Sequence, residues 1–301
     1  MAFIAAAALS VAVGAYVRKR VHEAEEKQKA EAERDRISHE LTMASNLQRA
    51  MMPNEFPPFP DRQEFDIFAS MKPAREVGGD FYDYYMIDDD HLCIVMADVS
   101  GKGIPAALFM MISKAILKSF ANLGMTPAAI LTETNDSICS NNRLDMFVTV
   151  WLGILEISTG RLTAGNAGHE YPAVMKAGGA FELLKDKHDI VIGGMEGIDY
   201  RQYEIDLEPG DRLFLYTDGV PEAAATRNNM FGTERMIKAL NIDSDASPRV
   251  LLENVYKAVK EFVKGAEQFD DLTMLCLEYN GPSGAISGSD GDEGTDDEQN
   301  R

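Results

Sequence analysis

Four segments of this chain set an aspartate against an apolar, β-rich run: VGGD at 77–80, IVMADVSG at 94–101, LFLYTDGV at 213–220 and QFDDLTML at 268–275. Such a run is built to be buried, and it holds the acid at its end rigidly at a loop mouth. One aspartate of this kind is a turn or cap residue. Four from separate parts of the chain can instead converge. Converged carboxylates repel one another, and the usual compensation is a divalent cation. Oxygen-only ligands suit Mg²⁺ or Mn²⁺.

The surroundings of each aspartate are specific. Asp98 follows the apolar run Leu92–Ala97 and precedes the flexible turn Val99-Ser100-Gly101-Lys102-Gly103. A helix then opens at Ile104-Pro105, where proline is acceptable and the helix dipole tolerates an anion. The turn lacks the spacing of a Walker A loop. Lys102 reads as a loop cap, the alternative being a partner for a phosphate. Asp218 follows Arg212–Thr217, and Gly219 permits a sharp turn after it. Asp80 follows Gly78-Gly79, a pair that lets backbones approach closely. Asp270 and Asp271 precede the last strand.

The elements that must position these acids form a mixed pattern. Strands are expected at 65–71, 81–87, 91–98, 147–157, 161–165, 172–176, 181–184, 202–206, 211–217 and 272–279. Helices are expected at 104–122, 127–142, 233–240 and 247–264. Short turns such as Ser158–Gly160 and Gly178-Gly179 favour antiparallel pairing with helices on the outer faces over a βαβ repeat. Phe147, Trp151 and Leu152 read as core.

Before this region lies a helix over 20–52, rich in charge, free of Gly and Pro, and ended by Pro53. Ile37, Leu41, Ala44, Leu47 and Met51 follow a coiled-coil-like step. The seam either packs on its own domain or pairs with a second copy. Residues 2–17 (AFIAAAALSVAVGAYV) carry no charge and are followed by Arg18-Lys19-Arg20. The segment is short against the roughly 20 residues that span a bilayer. It reads as a membrane anchor, the alternative being a buried or interfacial helix. Basic residues after the apolar run argue against a secretory signal and place the rest of the chain in the cytoplasm if it spans.

Composition narrows the function classes. A net charge of −20 argues against nucleic acid as a partner. Residues 280–301 are acidic and lack core formers, so they read as a disordered tail. Cys93, Cys139 and Cys276, odd in number and without a CxxC pair, read as reduced thiols and not as a zinc site.

Five segments taken together, VGGDFYD, ADVSGKGIPAALFM, GNAGHEYP, LYTDGVPEA and DDLTML, resemble the SpoIIE/RsbU-type branch of the metal-dependent PPM (PP2C-like) serine/threonine phosphatases. The resemblance covers about 55–279, and NLQRAMMP before it is similar to the entry helix of that family. It implies an α+β fold, a PP2C-like α-β-β-α sandwich of two antiparallel sheets flanked by helices, here preceded by a long N-terminal helix. With the segments read above, the chain divides into an anchor (1–17), a helical coiled-coil-like linker (18–52), a phosphatase domain (53–279) and the tail (280–301).

The resemblance also implies two Mn²⁺ or Mg²⁺ ions and attack on phosphorus by a hydroxide bridging them. Asp98 matches the bridging ligand and the Val99 carbonyl the adjacent one. Asp218 and Asp270 match further direct ligands, Asp80 a carboxylate acting through water, and Asp271 a position behind them. Arg75, five residues before Asp80, matches a phosphate-binding arginine. Val99-Ser100 replaces the Gly-His of eukaryotic relatives, which puts the general acid in doubt; His169 reads more readily as a structural hydrogen-bonder. The implied substrate is a phosphorylated protein, a STAS-domain anti-anti-sigma factor above all, and the implied location a bacterial inner membrane with the catalytic domain cytoplasmic. Two other readings are open: a two-metal phosphohydrolase of small phosphoesters, and a non-enzymatic membrane-tethered interaction module.

Overall fold

A computed structural model describes residues 2–226 and 229–282, with the side chains of residue 14 and of 16 onward. By its contacts the chain divides into Met1–Leu47 and Gln48–Arg301. The first unit is helical. It belongs to α1, Ala2–Met51, in which the expected N-terminal helix and the helix over 20–52 are continuous. From Tyr16 to Glu40 its side chains are exposed and carry ion pairs one turn apart, such as Lys19 with Glu23 and Lys27 with Glu31. Exposed pairs of this kind add only tenths of a kcal/mol each, so the helix is held by length and propensity.

The second unit contains, in chain order, β1 (Phe65–Lys72), β2 (Phe81–Met86), β3 (His91–Val99), α2 (Ile104–Ala121), α3 (Pro127–Cys139), β4 (Val148–Glu156), β5 (Arg161–Ala167), β6 (Ala173–Met175), β7 (Glu182–Leu183), β8 (Tyr203–Asp206), β9 (Arg212–Tyr216), β10 (Ala224–Thr226), β11 (Asn229–Met230), α4 (Thr233–Leu240), α5 (Pro248–Val263) and β12 (Leu272–Tyr279). Two five-stranded antiparallel sheets form, ordered β1-β12-β9-β6-β7 and β2-β3-β4-β5-β8. α2 and α3 pack on the second sheet, and α5 on the first with α4 beside it. This is the expected sandwich flanked by helices.

The near-continuous apolar runs follow from that layering. In β9, Leu213 and Leu215 join the core between the sheets, while Phe214 and Tyr216 join a separate core under α4 and α5. In β12, Leu275 and Leu277 point one way and Met274 and Cys276 the other. Alternate side chains leave a strand on opposite faces, and here both faces are covered. Each large side chain so buried contributes about 1.5–3 kcal/mol.

Some expectations need correction. β3 runs one residue past the expected end, to Val99, so Asp98 is its penultimate residue. α3 stops at Cys139, and the hairpin β10–β11 was not foreseen, because Ala223-Ala224-Ala225 carries no strand signal. Phe147 precedes β4 and is 41 % exposed, whereas Trp151 and Leu152 are fully buried. Cys93 and Cys276 are buried free thiols, and Cys139 is a half-buried one.

Among the described residues, one helix is long and apolar enough to cross a membrane by composition alone, namely α2. It has Ala106, Met110 and Leu117 in the core. Most side chains of the apolar segment 2–17, and residues 283–301 of the acidic tail, lie outside the described set.

Candidate active site

Strand pairing brings the acids together two at a time. Phe81 pairs with Ala97 in the β2–β3 ladder, so Asp80 and Asp98 stand opposite one another one step further on. Tyr216 pairs with Met274 in the β9–β12 ladder, and the Thr217 amide continues it by donating to Thr273 O at 3.1 Å. Asp218 and Asp270-Asp271 therefore leave the same end of that ladder. The two pairs belong to different sheets, and stacking the sheets sets them face to face.

Asp80 is the tie between the layers. Its Oδ2 accepts from Thr217 Oγ1 at 2.6 Å and from Thr273 Oγ1 at 2.5 Å, both on the opposite sheet side. Asp80 is 2 % exposed. Burial, then repulsion from Asp98 and Asp271, pushes its carboxyl well above the usual range, against the two threonine hydrogen bonds. Burial, opposed by a hydrogen bond with Asp80, raises Asp98 to about 6, with Asp270 and Asp271 adding to the rise. Burial and then the charge of Asp98 raise Asp218 to about 7, with Asp270, Glu222 and Glu170 contributing. Like charges gathered in a partly buried place call for added positive charge.

Asp271 lines the same cleft and also organises the opposite loop. Its Oδ1 accepts from the Ala74 amide at 2.8 Å, and its Oδ2 from the amides of Gly79 at 3.0 Å and Asp80 at 3.5 Å. This close approach is why glycine is needed on both sides. A Cβ on Gly78 would stand 2.0 Å from Asp271 Oδ2, and one on Gly219 would stand 1.9 Å from the Asp271 carbonyl oxygen. The Val99 carbonyl oxygen lies against Gly79 in the same way, 2.9 Å from where a Cβ would be.

The same loop is gripped from its other side by Gln48. The Gln48 Nε2 donates to Gly78 O at 2.7 Å, and the Gly78 amide donates back to Gln48 Oε1 at 3.1 Å. Gln48 is 3 % exposed although its neighbours Leu47 and Arg49 are exposed. Sequence reasoning missed Gln48, Thr217 and Thr273. Nothing local to the sequence marked them, because their partners lie 30 to 193 residues away.

Other expected participants divide. Arg75 lines a narrow cleft with Asp98, Lys102, Asp270 and Asp271. Lys102 Nζ donates to Asp270 Oδ2 at 2.8 Å, so it does more than cap its own loop. Ser100 is spent on structure: its amide donates to Phe147 O and its Oγ accepts from the Phe147 amide, both at 2.9 Å. His169 is buried and held neutral, its pKa pushed down to about 3 by burial. Its Nε2 lies 3.1 Å from Tyr216 O and its Nδ1 2.9 Å from Thr149 Oγ1. A ring satisfied on both nitrogens is a brace between sheets, in line with the structural reading.

The donor set of hard oxygens, with its excess negative charge, fits divalent Mg²⁺ or Mn²⁺. Among the described residues, however, no three acidic, His or Cys side chains converge tightly enough to hold an ion as they stand.

The comparisons with known proteins bear on the family and the fold. The family model for stage II sporulation protein E (SpoIIE) matches residues 88–280. Protein IcfG of Synechocystis sp. is 31 % identical over 80 % of this chain and 42 % of its own length. The phosphoserine phosphatase RsbU of Bacillus subtilis is 28 % identical over 80 % of this chain and 70 % of its own. This chain thus spans less than half of the first relative. The solved SiaA-PP2C domain of Pseudomonas aeruginosa superposes with a TM-score of 0.72 at 27 % identity, covering 82 % of this chain and 98 % of that one.

Proposed function

Because the chain belongs to the SpoIIE/RsbU-type branch of the PPM serine/threonine phosphatases, we propose that residues 53–279 are a metal-dependent protein phosphatase. It removes phosphate from phosphoserine or phosphothreonine on a partner protein. The observation that carries this reading is the gathering of buried Asp80 and half-buried Asp98 and Asp218 at the shared end of the two sheets.

In this reading two Mn²⁺ or Mg²⁺ ions are held by Asp98, the Val99 carbonyl, Asp218 and Asp270, with Asp80 acting through water and Asp271 from behind. Such ions supply charge neutralisation on the phosphoryl oxygens and an activated water for in-line attack. The chain's own residues do the rest. Thr217 and Thr273 lock the Asp80 carboxylate in one orientation. Asp271 holds the amides of Gly79 and Asp80 in place. Arg75 at the cleft offers a planar fork of donors that matches a phosphate dianion.

A protein substrate is favoured by the shape of the site. The cleft beside Asp98 and Asp270 encloses about 10 Å³, room for about one water molecule. Within this cleft a small phosphoester would find little to enclose it. The adjoining cavity of about 450 Å³ beside Asp270, lined by Gly219, Tyr256 and Phe269, is walled mainly by apolar surface. A phosphoserine presented on a partner's surface, by contrast, needs only access. A STAS-domain anti-anti-sigma factor is the substrate class this family reading favours. Residues 1–17 serve as an anchor at a bacterial inner membrane and place the catalytic domain in the cytoplasm. Residues 18–52 are the linker, and 280–301 an acidic tail. The seam pairs with a second copy, a reading supported by the exposure of Ile37 and Leu47, 46 % and 66 %.

The test is release of phosphate from a phosphorylated STAS protein with and without Mn²⁺, beside turnover of small phosphoesters. Asp98→Ala and Asp218→Ala should each abolish Mn²⁺-dependent release. Wild-type rates in either variant would sink the metal assignment. Faster turnover of the small esters would move the substrate class.

A further inference from the structure

We propose that Lys102 is a built-in counter-cation for Asp270, one that a divalent ion has to displace in order to bind. The proposal rests on the two-metal reading above, since Asp270 is one of the ligands. Lys102 and Asp270 are 168 residues apart, and among the described residues theirs is the one salt bridge that touches the aspartate cluster.

Three groups hold the ammonium. Lys102 Nζ donates to Asp270 Oδ2 at 2.8 Å and to Phe269 O at 2.5 Å, and it lies 3.8 Å from the centre of the Phe269 ring. The other carboxylate oxygen of Asp270 accepts the Asp271 amide at 3.0 Å. Both oxygens are therefore engaged inside the protein. An ammonium and a dication cannot share one carboxylate without strong mutual repulsion, so loading of Asp270 requires Lys102 to leave.

The surroundings make that exchange feasible. Lys102 sits between Gly101 and Gly103, which have φ of 87° and 79°, and no Cβ neighbour crowds either glycine. The side chains of the pair are 29 % and 28 % exposed, so a departing ammonium reaches water directly. Such a pair is weak enough for a dication to win and strong enough to matter. It keeps Asp270 in position and offsets some of the repulsion in the cluster until the ion arrives. The price is a lowered affinity at that position.

The experiment is calorimetric titration of Mn²⁺ into the chelator-treated full chain, as wild type, Lys102→Met, Lys102→Gln and Lys102→Arg. Removing the charge with Met or Gln should tighten the weaker binding step by about fivefold, the equilibrium worth of a partly exposed ion pair. It should also lower the thermal midpoint of the chelated protein, while Arg keeps both values near wild type. Unchanged or weaker Mn²⁺ binding in both Met and Gln would overturn the role of Lys102. Absence of Mn²⁺ binding in the wild type would overturn the metal reading itself, so the two failures are distinguishable.

Discussion

Replacing Gln48 by leucine tests how far the end of α1 is built into the catalytic unit. Gln48 is buried and makes two hydrogen bonds, both to the backbone of Gly78. Leucine keeps the approximate volume and removes both partners. Each lost bond costs about 0.5–1.5 kcal/mol net, and a buried backbone group left without a partner costs about 1–3 kcal/mol. Burial of the leucine side chain offsets part of this, which leaves a destabilisation of about 2–4 kcal/mol. For a unit of this size that lowers the thermal midpoint by roughly 4–16 °C. Urea denaturation of the chelated protein measures it directly. Arg49→Ala, on the exposed side of the same turn, should stay within about 0.5 kcal/mol of wild type. Because Gly78 adjoins Gly79 and Asp80, Gln48→Leu should also weaken Mn²⁺ binding in the folded protein. A loss below about 0.5 kcal/mol would refute the hydrogen-bond argument. A large loss of stability with unaltered Mn²⁺ affinity would refute the link to Asp80.

Two other predictions follow from the same geometry. Gly219→Ala places a Cβ 1.9 Å from the Asp271 carbonyl oxygen; because backbone cannot step aside cheaply, it should destabilise by about 1–3 kcal/mol and reduce metal affinity, and an unchanged denaturation midpoint would count against the close approach. The pH dependence has a definite sign: burial, aided by mutual repulsion, raises Asp80, Asp98 to about 6 and Asp218 to about 7, so their folded forms bind protons more tightly than the unfolded chain. The associated stability is full at pH below the ordinary carboxylate range and is lost as pH rises through about 6 to 7. Chelated protein should therefore become less stable between pH 5 and pH 8 by denaturant titration, and saturating Mn²⁺ should offset that loss. Stability rising over this interval in the chelated protein would contradict the clustering.

Much of the fold was legible because its signals are local. The apolar runs at 91–98, 211–217 and 272–279 lie within a residue of β3, β9 and β12. Pro105 at the first turn marked α2, and α3 and α5 open on prolines in the same way, since proline there forfeits no helical hydrogen bond. The hairpin of β10 and β11 was not legible, since three alanines state no preference for a strand and its pairing comes from the fold around it. Phe147 misled for the opposite reason: its type fits a core strand, but β4 begins one residue later and leaves it at the surface.

For the site, residue type and position in the chain determined which acids stand at strand ends, because a carboxylate bordering a buried run must face a loop mouth whatever the topology. Their partners were decided only by the tertiary structure. Thr217 and Thr273 reach Asp80 over 137 and 193 residues of sequence, and Asp271 reaches Gly79 over 192. Gln48 finds Gly78, and Lys102 finds Asp270, in the same manner. These contacts depend on the register of two ladders and on how two sheets stack. Period and composition within one segment carry no record of either, so one chain segment could announce a carboxylate but not what holds it.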